Sequence, residues 1–589
     1  MVKQEPAIRI IKRLRVDHAQ HTAISALGGL QKFLGEAMLW LRGLSLKFNF
    51  TEKIILAGLV TIIIVGSIQF IFSHPNQTEA KPVSGGIHIE GLVGKPKYIN
   101  PLLAGTNSVD QDISRLVYSG LTKIGPGREI MPDLATSWDI LDGGKTYIFQ
   151  LQPNAKWHDG ELFTADDVVY TFNVLQNNDY TGVLKSNFAG VLVEKIDTLA
   201  VKITLPAVST FFLTDVSVGI IPAHIFENTA VGDLAIEYDP SQIIGTGPYR
   251  YQPANLENAV TLSRFKDYYG TPPYLESIAF YFFDNQDNLY AAFRNRQISA
   301  AGFTEPVFDQ NLAASDGKYE FVLPQYKAIF FNQLGSNALL KNTALRQALA
   351  SAVNKQQIIE EVEQGYATRV DSPVLPGFPG HNPNLKKYDF DIARAASLLK
   401  KDGWTDSDGD GVLDKNKGEI RLSLKVTFRD DVKSQKIANL IQQSWKAIGV
   451  ETILQPMDAA TLIKDAIRPR NYEVLIFGQD LGGNSDPYVY WHSSQIKDPG
   501  LALAVTVDKD IDNNLEQARI SANLNQAIAA YLRFQTAFAD LVPAILLYQP
   551  RYTYMVDVKV RGVTDKINLS SATDRFINIG QWYIKSKRE

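Results

Sequence analysis

The most apolar run of the chain is residues 54–72, IILAGLVTIIIVGSIQFIF, nineteen positions without a charge. At about 1.5 Å rise per residue it spans about 28 Å, the depth of a hydrocarbon core. It therefore predicts one transmembrane helix. A long polar stretch precedes it and no small-x-small cleavage site follows, which argues for an uncleaved anchor over a signal peptide. Upstream, Leu27, Leu30, Leu34, Met38 and Leu41 recur at helical spacing, which fits an amphipathic helix and equally a partly ordered tail. Downstream, residues 73–85 are polar with Pro and Gly and predict a linker.

Beyond residue 86 the two-residue and 3.6-residue periods intermingle. Tyr147, Phe149 and Leu151 alternate with polar positions, as do Val201, Ile203 and Leu205, and both predict strands. Thr164 is placed to cap a helix carrying Val168, Phe172 and Leu175, with Asp167 completing a capping box. Asn342 is placed to cap another carrying Leu345, Leu349 and Val353. Ile437, Ile441, Trp445 and Ile448 form a third stripe closed by Gly449, and strands are predicted at 450–454 and 473–477. Helices followed by strands point to α/β layers, and about 500 residues of such material to two or three lobes.

Charge sharpens this. The 589 residues carry a net charge of −4 and no cysteine. Residues 1–53 hold nine Lys/Arg and four Asp/Glu, a net of +5, which leaves −9 on the rest. The basic side sits on the cytoplasmic face by the positive-inside rule, so the acidic remainder lies outside as a single-pass protein of the plasma membrane. An acidic outer part argues against nucleic acid as a partner. Absent cysteine excludes disulfides, thiolate metal sites, a cysteine nucleophile and a lipid anchor attached through cysteine.

Catalytic signatures are missing: there is no HExxH, no GxSxG and no P-loop. Gly245-Thr-Gly247-Pro-Tyr249 reads as a turn, since proline and tyrosine follow where a Rossmann helix would start. One loop has metal-ligand spacing. Asp406, Asp408, Asp410 and Asp414 occupy positions 1, 3, 5 and 9 of an EF-hand-like loop with Gly411 at 6, but Lys417 stands at 12. A structural calcium ion and a plain Asp/Gly turn both fit. No other cofactor is required.

Residues 113–172 (ISRLVYSGLTKIGPGREIMPDLATSWDILDGGKTYIFQLQPNAKWHDGELFTADDVVYTF) closely resemble family 5 extracellular solute-binding proteins of ABC importers, the oligopeptide- and dipeptide-binding group. IGTGPYR at 244–250, LRQALASAVN at 345–354, LLKKDGW and DGDGVLD within 391–414, and GQDLGGNSDPYVYWHSSQ at 478–495 follow in family order. The resemblance implies an α/β, periplasmic-binding-protein-like, two-lobed fold of three structural domains, preceded here by the transmembrane helix. The boundaries are then 1–53 cytoplasmic, 54–72 anchor, 73–85 linker, 86–120, 239–325 and 546–589 domain I, 121–238 domain II, and 326–545 domain III. It implies a monomeric receptor, not an enzyme, that closes around a peptide and needs separate permease and ATPase subunits.

In peptide-binding relatives an aspartate just after a strand holds the peptide's amino terminus, and Asp480 fits that place; a carboxylate that caps a helix or braces the loop is the other reading of it. Leu481 to Ser485 separate it from Asp486 by more than in those relatives, so Asp486 competes for the role. Trp491 would line the pocket or pack beneath it, and Asn484 would lie near the ligand, as would Asn107 and Leu92 by analogy. Other solutes (a nickel chelate, haem, an oligosaccharide) and a sensor signalling through residues 1–53 are the alternatives.

Overall fold

The computed structural model describes residues 80–588 apart from 106, 254–257, 305–315, 483–485, 499 and 522–523, together with 49–52, 54–55, 58–59 and 61. The chain divides into two compact units, Pro82–Lys587 and Met1–Lys81 with Arg588–Glu589. In the smaller unit the described positions between 50 and 61 are helical. Most of the apolar run 54–72, the predicted amphipathic helix and most of the predicted linker lie outside the described residues. Among the described residues no helix is long and apolar enough to cross a membrane.

Pro82–Lys587 is organised on one long mixed sheet. Its strands stand in the order Glu451–Met457, Ser423–Arg429, Val474–Asp480, Gln325–Phe331, Ala544–Val556, Ala300–Phe303, Ile87–Val93, Ser277–Phe283, Ala259–Arg264 and Tyr249–Gln252. Ala544–Val556 belongs to both halves. Residues 544–548 pair with Gln325–Phe331, and residues 551–556 pair with Gly317–Val322. The chain thus passes between the halves twice, near Pro324 and near Pro550. Proline donates no backbone N–H. The two passages are tied there by Leu323 N donating to Pro550 O at 3.1 Å and Gln549 Nε2 donating to Leu323 O at 3.2 Å. A separate four-stranded sheet, ordered Ala135–Leu141, Thr146–Leu151, Ala200–Thr204, Leu192–Asp197, is inserted in the first half and carries helix Ala165–Gln176.

The predicted caps have local causes and form as expected. Thr164 and Asp167 make the capping box of Ala165–Gln176, and Asn342 caps Thr343–Ser351. Gly449, at φ +77°, follows helix Val432–Lys446, in a conformation that costs a side chain but not glycine. In the second half the sheet is covered on both faces. Ile329, Phe331, Val426 and Trp445 pack on one side, and Tyr326, Phe330, Trp491 and Phe538 on the other. A single strand, Gln325–Phe331, feeds both cores because its side chains alternate. The first half has its own core, which includes Phe149, Phe172, Tyr249 and Trp582.

Candidate functional site

Strand Val474–Asp480 runs three residues past the end that its apolar pattern predicts. Register explains the extension: Asp480 is opposite Gln325 and Gly478 opposite Lys327, so the polar residues are held by the neighbouring strand. Asp480 is exposed at the strand's carboxyl end. Its Oδ2 accepts from Gln325 Nε2 at 2.8 Å and its Oδ1 from Gly482 N at 2.9 Å. Leu481 N donates to Pro324 O at 2.9 Å, and Tyr490 OH to Asp480 O at 3.1 Å. Asp480 is thereby fixed beside one of the two passages between the halves. Asn484 lies outside the described residues.

Asp486 is in a different environment. It is 2% exposed; Tyr488 N donates to it at 3.0 Å and Arg519 Nε at 2.7 Å. Burial pushes its carboxyl pKa up, and the Arg519 guanidinium opposes that shift. Asp215, at the end of the short helix Phe212–Asp215, faces the same pair from the first half. Its pKa is raised to about 7 by burial, with the Asp486 charge adding, while Asn187 Nδ2 donates to it at 3.1 Å. Thr210 Oγ1 is 3.2 Å from both Ala518 O and Arg519 O. The Arg128 guanidinium lies 3.7 Å over the ring of Phe378. These contacts bring the two halves of the large unit together, next to a small crevice of the second half lined by Leu375, Phe378, Leu481, Asp486, Pro487 and Tyr490.

The other residues singled out by sequence are placed as packing and capping groups. Trp491 is 5% exposed and packs against Tyr326, Phe330 and Phe538, beneath the sheet; its Nε1 has no hydrogen-bond partner among the described residues. Leu92 is buried in the first half's core. Asn107 caps helix Ser108–Val117 and donates to Lys95 O at 3.1 Å. In the acidic loop, Asp406, Asp408 and Asp410 bring ligand atoms within 4.8 Å of one another. Asp414 stands apart from that group: it is buried and accepts from Ser407 N and Oγ and from Gly418 N. The first three carboxylates are the ones that could hold a cation. They are exposed, and all three already accept from the loop's own backbone.

The family-like motifs at 157–160 and 245–249 meet each other. His158 N donates to Gly245 O at 2.9 Å, Gly245 N donates to His158 Nδ1 at 3.2 Å, and His158 Nε2 is 3.0 Å from Gly247 O. Burial pushes the imidazole pKa down to about 4, which keeps the ring neutral and able both to donate and to accept. A Cβ at Gly245 would sit 1.9 Å from Val117 O, so only glycine fits there. These motifs build the fold. Sequence spacing gave no sign of Asp215, Arg519, Gln325 or Lys327, because each meets its partners across long separations.

Residues 129–499 match the family described as bacterial extracellular solute-binding proteins, family 5 Middle. The oligopeptide-binding protein AppA of Bacillus subtilis is 28% identical over 489 residues, covering 81% of this chain and 89% of that protein. The solved structure of AppA in complex with a nonapeptide superposes with a TM-score of 0.67 at 26% identity, covering 86% of this chain and all of that one. The nickel-binding periplasmic protein of Escherichia coli is 26% identical over 419 residues, covering 67% of this chain and 77% of its own length.

Proposed function

The chain belongs to family 5 of the bacterial extracellular solute-binding proteins, and on that premise we propose that it captures peptides between its two halves and passes them to the permease of an ABC importer. The observation that carries the peptide reading is Asp480. A carboxylate stands exposed at the end of a sheet strand, braced by Gln325 and beside the passages about which the halves would close. Enclosed there, it is a partner for an ammonium group, and a charge-assisted hydrogen bond in a water-poor cleft is among the stronger polar contacts. The relation to an oligopeptide-binding protein supports the same reading. Closure by rotation about two crossing strands is a binding mechanism of the hinge type.

The anchor is part of this reading. The nineteen uncharged residues 54–72 would hold the receptor at the outer surface of the plasma membrane, with residues 1–53 inside. That confinement raises its effective concentration at the permease. Calorimetry of the full chain with a peptide pool tests the site. Asp480→Asn is expected to weaken binding by about 2–5 kcal/mol. Unchanged affinity would remove Asp480 from the contact. A nickel chelate is the second reading, carried by the nickel-binding relative, and is titrated in the same way.

A further inference from the structure

Four residues of the second half share one face of the sheet. Gln325 and Lys327 are two apart on one strand, and Asp480 and Gly478 stand opposite them on the next. Side chains two apart on a strand, or directly opposite across a pair, point the same way. The 2.8 Å contact between Gln325 and Asp480 confirms that orientation. Asp480 and Gly478 are exposed, while Gln325 and Lys327 are half-buried. A Cβ on Gly478 would meet only Tyr326 O at 3.6 Å and Lys327 Cδ at 3.9 Å, which are ordinary contacts. The glycine thus leaves a bare strip of sheet between a negative and a positive group where a side chain would have fitted.

The charges around Lys327 do not balance. It faces Arg429 at the end of strand Ser423–Arg429, Asp431 and Lys433 at the start of helix Val432–Lys446, and Glu363 after helix Lys355–Val362. Glu363 is taken by Lys433 at 2.9 Å and by Tyr548 OH at 2.7 Å. Asp431 accepts from Ser434 N at 2.8 Å and Ser434 Oγ at 3.0 Å, with Arg429 Nε at 3.7 Å. Lys327 Nζ donates to a neutral atom, Ser434 Oγ, at 3.2 Å. Among the described residues no carboxylate stands within ion-pair distance of it. Three cations therefore face two carboxylates, and the surplus positive charge is the half-buried one. Burial pulls its pKa down, a cost that an incoming anion would offset.

We propose that Lys327 receives the carboxylate of a ligand whose ammonium group is held by Asp480, so that the strip between them selects a short zwitterion of two or three residues. This rests on the peptide reading above. Diagonal neighbours across a strand pair are about 7–8 Å apart. An extended peptide spans about 3.5 Å per residue, so two or three residues bridge both groups and a long peptide overshoots them.

The test is calorimetry of the full chain with an equimolar pool of dipeptides and with the same pool as C-terminal amides. The wild type is expected to bind the free acids roughly ten- to a hundredfold more tightly than the amides, the worth of a hydrogen bond to a charged group. Lys327→Met should erase that ratio by weakening the acids alone, and Lys327→Arg should restore most of it. Gly478→Leu, which fills the strip, should abolish binding of both pools. Equal binding of acids and amides by the wild type, or a ratio that survives in Lys327→Met, overturns the role of Lys327. Binding of neither dipeptide pool by the wild type overturns the proposal; failure to bind the unrestricted peptide pool as well overturns the peptide reading with it.

Discussion

Two charged clusters of the large unit are built in opposite ways. In the first half, Glu90, Asp112 and Arg575 are 0%, 4% and 2% exposed. Arg575 Nε donates to Glu90 at 3.0 Å, and its terminal nitrogens reach Asp112 at 3.0 and 2.7 Å. Tyr554 OH and His88 Nε2 complete Glu90 at 2.7 and 2.9 Å. Burial alone would raise the Glu90 carboxyl pKa, yet Arg575, His88 and Tyr554 together hold it below its ordinary value. In the second half, Asp480 and Lys327 share a sheet face, and among the described residues neither touches a charge of opposite sign. A network in which every oxygen is satisfied is the way a fold ties its own segments together. Charges held apart on an open strip are the way it meets something from outside.

The largest effect should come from breaking the first kind. Arg575→Met leaves two buried carboxylates without their cation and is expected to cost about 3–5 kcal/mol of stability. Urea unfolding of the full chain measures it. A loss below about 1 kcal/mol would mean that the network holds little together. Removing Lys327 should leave the unfolding midpoint nearly unchanged, which sharpens the contrast.

A smaller effect separates these two from the contact between the halves. Asp215 has a folded-state pKa of about 7, above the unfolded value. The folded state therefore binds more protons than the unfolded state between about pH 4 and pH 7, and stability falls as pH rises across that window. Asp215→Asn removes the charge, so it should add stability at pH 8, at most roughly 4 kcal/mol, and almost nothing at pH 4. Unfolding curves at the two pH values check this. Equal effects at both would show that Asp215 does not carry the shift.

What the sequence disclosed follows the range of the interactions. The caps at Thr164 and Asn342 and the left-handed Gly449 are decided within a few residues, and the structure has them where spacing puts them. Strand Val474–Asp480 was legible only to its apolar end; its last three residues are ordered by Gln325 and Lys327, about 150 positions away. Arg575 and Glu90 are 485 residues apart, so no local pattern could have paired them. Trp491 was conspicuous as an aromatic near an Asp-Pro pair, yet sequence does not tell a ring facing ligand from one packed on Tyr326 and Phe538. Asp480 was found because its resemblance to a family position coincides with a strand end.

The most direct measurement is native mass spectrometry of the full chain, purified in mild detergent without denaturation, with identification of whatever it releases on acidification. The account predicts short peptides, two or three residues long and with free carboxylates. Release of a nickel complex, a haem or an oligosaccharide, with no peptide, would contradict it.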